Sequence, residues 1–164
     1  MSNFIEPMEA LLADDLPDGP GWQYEPKWDG FRCIVVPDGG EVELWSKSGK
    51  PLARYFPEIA AMFAGLKARR FVVDGELLIV TKGVIAFDAL QLRLHPAESR
   101  VRKLAAETPA MFMSFDCLSA GKEMLASKPL SERRAKLEAI LAKESEPMLL
   151  LSPASEDRQD ALGW

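Results

Sequence analysis

Residues 24–32 read Tyr24-Glu25-Pro26-Lys27-Trp28-Asp29-Gly30-Phe31-Arg32, one lysine set between acids with a glycine and an arginine close behind. A lysine ε-amine is a strong nitrogen nucleophile once its surroundings lower its pKa or take its proton. Taken alone, the segment reads either as an ordinary polar turn before a strand or as a site where Lys27 attacks an electrophile. A second informative stretch is Phe71-Val72-Val73-Asp74-Gly75-Glu76-Leu77-Leu78-Ile79-Val80. Period-two alternation puts Asp74 and Glu76 on one face of such a strand. Carboxylates in an apolar run are costly unless paired, solvated or metal-bound, and Gly75 would let a ligand come close to the backbone. In Met111-Phe112-Met113-Ser114-Phe115-Asp116-Cys117-Leu118 an aromatic precedes an acid. Its ring suits either the core or the face of a flat base.

The elements that must hold these residues are legible as periodicity. Phe31–Val36 and Glu41–Ser46, separated by Pro37-Asp38-Gly39-Gly40, predict a hairpin. It starts just after Lys27 and returns Ser46-Lys47-Ser48-Gly49-Lys50 toward it. Gly49-Lys50 lacks the spacing of a phosphate-binding P-loop, so the stretch reads as a basic turn. Pro57 starts a helix whose Ile59, Met62, Phe63 and Leu66 form a core-facing stripe. The segment 71–80 is expected to be a central strand. Lys82-Gly83 predicts a turn, and Phe87, Leu90 and Leu94 fall at helical spacing. A helix opens near Pro129 with Ser131 as its N-cap and Leu137, Ile140 and Leu141 on its apolar side. Met148–Leu151 supplies one more strand, and a helix begins between Ala154 and Trp164. Residues 1–21, acidic and rich in Pro and Gly, form a loosely packed leader with an apolar cluster at Met8, Leu11 and Leu12.

Composition narrows the function classes. The chain has 164 residues, 48% of them hydrophobic and 27% charged, which suits a single soluble domain with a real core. No apolar run reaches the ~20 residues of a membrane span, and the N-terminus lacks a basic stretch with an apolar core. A cytoplasmic location is expected. Cys33 and Cys117 lie in separate strand-like runs and read as small buried residues, not a disulfide. With His95 as the one histidine, Cys/His zinc ligation is not expected, and no nucleophile-elbow motif supports a histidine-dependent triad. His95, just before Pro96, reads as a helix-end or capping residue. A net charge of −5 opposes bulk electrostatic gripping of DNA, unless the basic surface is local or lies in another domain.

Lys27-Trp28-Asp29-Gly30-Phe31-Arg32 closely resembles the Lys-x-Asp-Gly-x-Arg signature of ATP-dependent DNA ligases. Ser46-Lys47-Ser48-Gly49 resembles that family's Ser-Arg-x-Gly motif, with lysine for arginine and so without the bidentate fork. Arg54-Tyr55-Phe56-Pro57, Asp74-Gly75-Glu76 and Phe115-Asp116 match in order, and Gln91–Arg100 is similar to a stretch of the small bacterial ligase C group.

The resemblance implies an α+β fold of the ligase adenylation-domain (nucleotidyltransferase, ATP-grasp-like) kind, mostly antiparallel sheet with helices outside. It implies that residues 1–164 form one partial adenylation domain, C-terminally incomplete, without the later glutamate-glycine and lysine motifs or the oligonucleotide-binding barrel. It gives Lys27 the covalent adenylate, Glu25 the adenine amino group, Arg32 and Lys47 ribose or phosphate, Glu76 the ribose or a metal, and Phe115 a stacking role. Asp74 is a further metal candidate. ATP and Mg²⁺ (or Mn²⁺) are the implied cofactors. Nicked double-stranded DNA is the implied partner of a monomeric complete enzyme, with no membrane involved. An RNA ligase or capping-type nucleotidyltransferase, and a non-catalytic nucleotide-binding or structural fragment, remain as alternatives.

Overall fold

The computed structural model describes residues 5–38 and 40–164. Strands β1 (Phe31–Asp38) and β2 (Glu41–Ser46) form the expected antiparallel hairpin, in register Val36↔Glu43 and Asp38↔Glu41. The strand runs two residues further than the sequence suggested. Gly40 turns with φ 115°, while Gly39, part of the expected turn, lies outside the described residues. A short 3-10 turn, Ala53–Tyr55, leads into helix α1 (Pro57–Gly65), with Pro57 in its first turn. Ile59, Met62 and Phe63 of α1 are buried, and so is Leu66 just past its end. At roughly 1.5–3 kcal/mol for each buried side chain, this stripe fixes α1 on the sheet.

Strand β3 (Phe71–Leu78) is central, as expected, and pairs antiparallel with β1 on one side. A small β4–β5 hairpin (Val80–Thr81, Val84–Ile85) follows, then helices α2 (Phe87–Arg93) and α3 (Glu98–Glu107). The sequence reading did not separate α3, because Val101 is its one fully buried residue and its apolar stripe is short. His95 does cap: its Nδ1 accepts from the backbone N–H of Ala97, the N-cap of α3, at 3.0 Å.

Strand β6 (Met111–Ala120) lies on the other side of β3, followed by β7 (Glu123–Met124), helix α4 (Leu130–Leu141), β8 (Leu149–Leu151) and the short helix α5 (Arg158–Leu162). The six-stranded sheet has the order β2-β1-β3-β6-β7, and β8 joins β6 in parallel. The architecture is α+β and mostly antiparallel. Ser131 is not the cap of α4: Pro129 holds that place and no side chain caps it.

Alternation sorts the strands into two faces. Cys33, Val35, Val73, Leu77 and Phe112 join Phe56, Ile59 and Phe63 in the main core, where the Phe63 and Phe112 rings meet edge-to-face at 5.1 Å. Ile34, Val36, Val72 and Leu118 make a smaller cluster on the opposite face, covered in part by Ile5 and Trp45. Arg32, Asp74 and Glu76 share the parity of this second face. Cys33 and Cys117 are buried and unbridged, as expected. Arg93 of α2 is fully buried, its Nη2 donating to both Glu58 oxygens at 2.7 Å and its guanidinium lying over the Phe56 ring. Removing one partner of such a pair costs ~3–5 kcal/mol, so the pair locks α2 onto α1.

Candidate active site

Two neighbouring hollows flank the segment 24–32. The larger, an open cleft of about 1120 Å³, holds Arg32, Lys47, Lys50 and Arg54 together with Glu76. The smaller, about 540 Å³, is lined by Trp22, Tyr24, Glu25, Lys27 and Trp164 among others. The cations of the basic turn thus gather with Arg32 and Glu76, while Lys27 and Glu25 share the adjoining hollow. Lys27 bridges the two in charge: it is near enough to Glu76 to favour the ionised carboxylate.

Lys27 is exposed, but the backbone on each side of it is pinned. Tyr24 exchanges two backbone hydrogen bonds with Ser155, at 2.7 and 3.0 Å. On the other side, Trp28 Nε1 donates to Ser152 Oγ at 2.9 Å. Ser152 in turn donates its N–H to the Ser114 carbonyl of β6. The segment after β8 therefore carries both anchors of the lysine. Gly30, at the entry to β1, presses so closely on the Leu77 carbonyl and Leu78 that a Cβ there would clash, and that Cβ would also lie 3.1 Å from Glu76 Oε2.

Glu76 is the perturbed carboxylate. Burial pushes its pKa up to about 7, against the opposing charges of Arg32 and Lys27, and its Oε2 is buried without a hydrogen-bond partner. A buried oxygen left unpaired at the rim of a cationic cleft is suited to a ligand hydroxyl or a hard cation. Asp74 behaves differently. It is fully buried, and Arg32 takes both its oxygens, Nε to Oδ1 at 3.1 Å and Nη2 to Oδ2 at 2.7 Å. That hydrogen bonding pulls the Arg32 pKa further up. Asp74 lines neither hollow and is committed to holding Arg32. Gly75, expected to admit a ligand, instead admits β6: a Cβ there would lie 2.5 Å from the Met113 carbonyl and 2.6 Å from the Phe112 ring. The register between β3 and β6 shifts at this point, between Asp74 and Gly75.

Phe115 is half-buried on β6 with the Arg32 guanidinium 5.6 Å from its ring centroid, and it too lines neither hollow. The leader is more engaged than its composition suggested. Pro7 is buried, the Met8 carbonyl accepts from Arg32 Nη2 at 2.7 Å, and Glu9 pairs with Lys47 at 3.1 Å. Leu11 and Leu12 remain exposed.

Sequence reasoning missed the supports in α4. Arg133 forks onto Asp116 at 2.8 and 3.0 Å. Arg134 donates to the Ser152 carbonyl at 2.8 Å and to Glu138 at 2.7 Å, with Nη1 3.7 Å from Glu25 Oε1. A signal existed: Arg134 falls on the helical stripe Leu130, Leu137, Leu141, a core position for a charge.

The model for the ATP dependent DNA ligase domain matches residues 7–162. The chain belongs to this family. The ligase-domain chain is 46% identical over 160 residues to DNA ligase C2 of Mycolicibacterium smegmatis, covering 98% of this chain and 44% of that protein. It is 44% identical over 163 residues to DNA ligase C of Mycobacterium tuberculosis, covering 98% and 45%. It therefore spans a little under half the length of these curated relatives. Among solved structures, the ligase domain of M. tuberculosis LigD superposes with TM-score 0.70 at 28% identity, covering 87% of this chain and 43% of that one. A mycobacterial DNA ligase D complexed with ATP and MES gives TM-score 0.66 at 25% identity, covering 86% and 42%. In the ligase-domain chain no helix of the described residues is long and apolar enough to cross a membrane.

Proposed function

We propose that this domain performs the first step of ATP-dependent DNA joining, transfer of AMP from ATP to Lys27. The observation that carries the reading is the juxtaposition of a doubly anchored lysine with a cationic cleft and a perturbed, unpaired carboxylate. Lys27 Nζ, its proton given up to solvent, forms a bond to the α-phosphorus of ATP. The bond from that phosphorus to the bridging oxygen breaks, and pyrophosphate leaves with the electron pair. Arg32, fixed by Asp74, and Lys47, Lys50 and Arg54 are the donors for the phosphates and ribose. Glu25 accepts from the adenine amino group, while Phe115, lying against the Arg32 guanidinium and lining neither hollow, steadies that arginine.

Among the described residues no group of three or more His, Cys, Asp or Glu could hold a metal. Glu76 alone, with its unpaired oxygen, fits a Mg²⁺ (or Mn²⁺) carried in mainly by the triphosphate, as is usual for that ion. Such an ion would neutralise charge on the departing pyrophosphate. Asp74, bound by Arg32, is the weaker candidate for it.

The lysyl-AMP is then available to a 5′-phosphate at a nick in double-stranded DNA, in a monomeric, cytoplasmic complete enzyme. The buried, reduced cysteines suit a reducing compartment. Release of pyrophosphate on mixing the chain with ATP and Mg²⁺, reversed when pyrophosphate is added back, tests the reading. Hydrolysis to ADP and phosphate would contradict it. Relatives named as DNA ligases favour nicked DNA over nicked RNA as the acceptor.

A further inference from the structure

Arg134 is buried, and two of its three guanidinium nitrogens are satisfied: Nε by Glu138 and Nη2 by the Ser152 carbonyl. Nη1 is buried with no hydrogen-bond partner. It points to the carboxylate of Glu25, 3.7 Å from Oε1, an ion-pair distance too long for a hydrogen bond. The same Oε1 accepts from Gln23 Nε2 at 2.6 Å. Glu25 is thus held from two sides while it lines the aromatic hollow of Trp22, Tyr24 and Trp164 beside Lys27. A buried cation left one donor short needs a reason, and the carboxylate in front of it supplies one. Burial raises the Glu25 pKa, and the Gln23 hydrogen bond and the Arg134 charge oppose that rise.

We propose that Arg134 is a positioning residue that holds Glu25 as a charged acceptor in the aromatic hollow. In doing so it sets the preference for a purine bearing an amino group over one bearing a carbonyl at the same place. A carboxylate accepts from an exocyclic amine and repels a carbonyl oxygen, so its charge and aim read the base edge. The inference rests on the nucleotide reading of the site.

The test is equilibrium binding of ATP and of ITP, which carries a carbonyl in place of the 6-amino group. The proteins compared are the unmodified 164-residue chain, Glu25→Ala, Arg134→Met, Arg134→Lys and the Glu25→Ala/Arg134→Met double variant. The unmodified chain is expected to prefer ATP by about tenfold or more. Arg134→Met cuts that ratio by about tenfold through weaker ATP binding, with ITP little changed. Arg134→Lys keeps the charge but cannot serve Ser152 and Glu25 together, and falls between. In the Glu25→Ala background, Arg134→Met leaves the ratio where Glu25→Ala put it. Equal weakening of both nucleotides by Arg134→Met, the mark of a merely structural role, overturns the inference. If that variant does not fold, an unmodified ratio in Arg134→Lys overturns it. ATP binding without any preference over ITP sinks this inference and leaves the nucleotide site standing; no ATP binding by the unmodified chain sinks both.

Discussion

At the scale of single residues, the site separates two carboxylates that look alike in sequence. Asp74 and Glu76 share a strand face, yet Arg32 reaches past Glu76, its direct cross-strand partner, to take both oxygens of Asp74. Glu76 is left with a pKa raised by burial to about 7 and an oxygen without a partner. Its folded pKa lies above its unfolded value, so the folded chain holds the proton more tightly. Stability tied to this group is full below about pH 4.5 and is lost as pH rises through about 7. Glu76→Gln, which cannot ionise, is expected to raise the Tm relative to the unmodified chain at pH 8 and to leave it unchanged at pH 4. After allowance for solvent screening the gain is roughly 1–2 kcal/mol. Thermal melts at both pH values check this, and a gain at pH 4 alone would contradict it. Lys27 stood out as a nucleophile between acids and Glu76 as a carboxylate inside an apolar strand, whereas Glu25 and Lys47 were singled out only through the resemblance of their motifs to the ligase family. Arg32's choice of Asp74 could not be read in either way, since period two gives a face and not the reach of a guanidinium.

At the scale of elements, β3 is shaped by an approach that its sequence hides. Gly75 is needed because β6 lies against it at the register shift. Gly75→Ala is expected to lower the denaturant midpoint by the equivalent of ~1–3 kcal/mol, the usual cost of overpacking, because the Met113 carbonyl is backbone and cannot swing aside. Urea unfolding measures it; an unchanged midpoint would mean that β6 can retreat. The hairpin and α1 were legible from their apolar periods, and the central place of β3 from a long apolar run that only Asp74-Gly75-Glu76 interrupts. Two features were not. α3 buries one residue fully and offers little stripe to read, and α4 starts from Pro129, so Ser131 had a cap's residue type but not its position. The dependence of Lys27 on the segment after β8 joins residues 124 apart in sequence, a link no local pattern encodes.

At the scale of the molecule, a net charge of −5 coexists with a cleft that gathers Arg32, Lys47, Lys50 and Arg54. In the nucleotide reading it is this local footprint, not the bulk charge, that faces ligand phosphates. Part of it is already countered by the leader, through Glu9 on Lys47 and the Met8 carbonyl on Arg32. Nicked duplex binding by this chain is therefore expected to be weak and steeply salt-dependent. Replacing Lys47, Lys50 and Arg54 together by alanine should flatten the slope of log affinity against log salt by about 2–3. Fluorescence anisotropy across a salt series reads that slope. An unchanged slope would place the nucleic acid elsewhere on the surface.

Whether Lys27 carries AMP is decided most directly by intact-protein mass after incubation with ATP and Mg²⁺, with Lys27→Ala alongside. The prediction is one added AMP on the unmodified chain and none on the variant. An adduct that persists in Lys27→Ala, or an unmodified chain that binds ATP and remains free of any adduct, would contradict the claim.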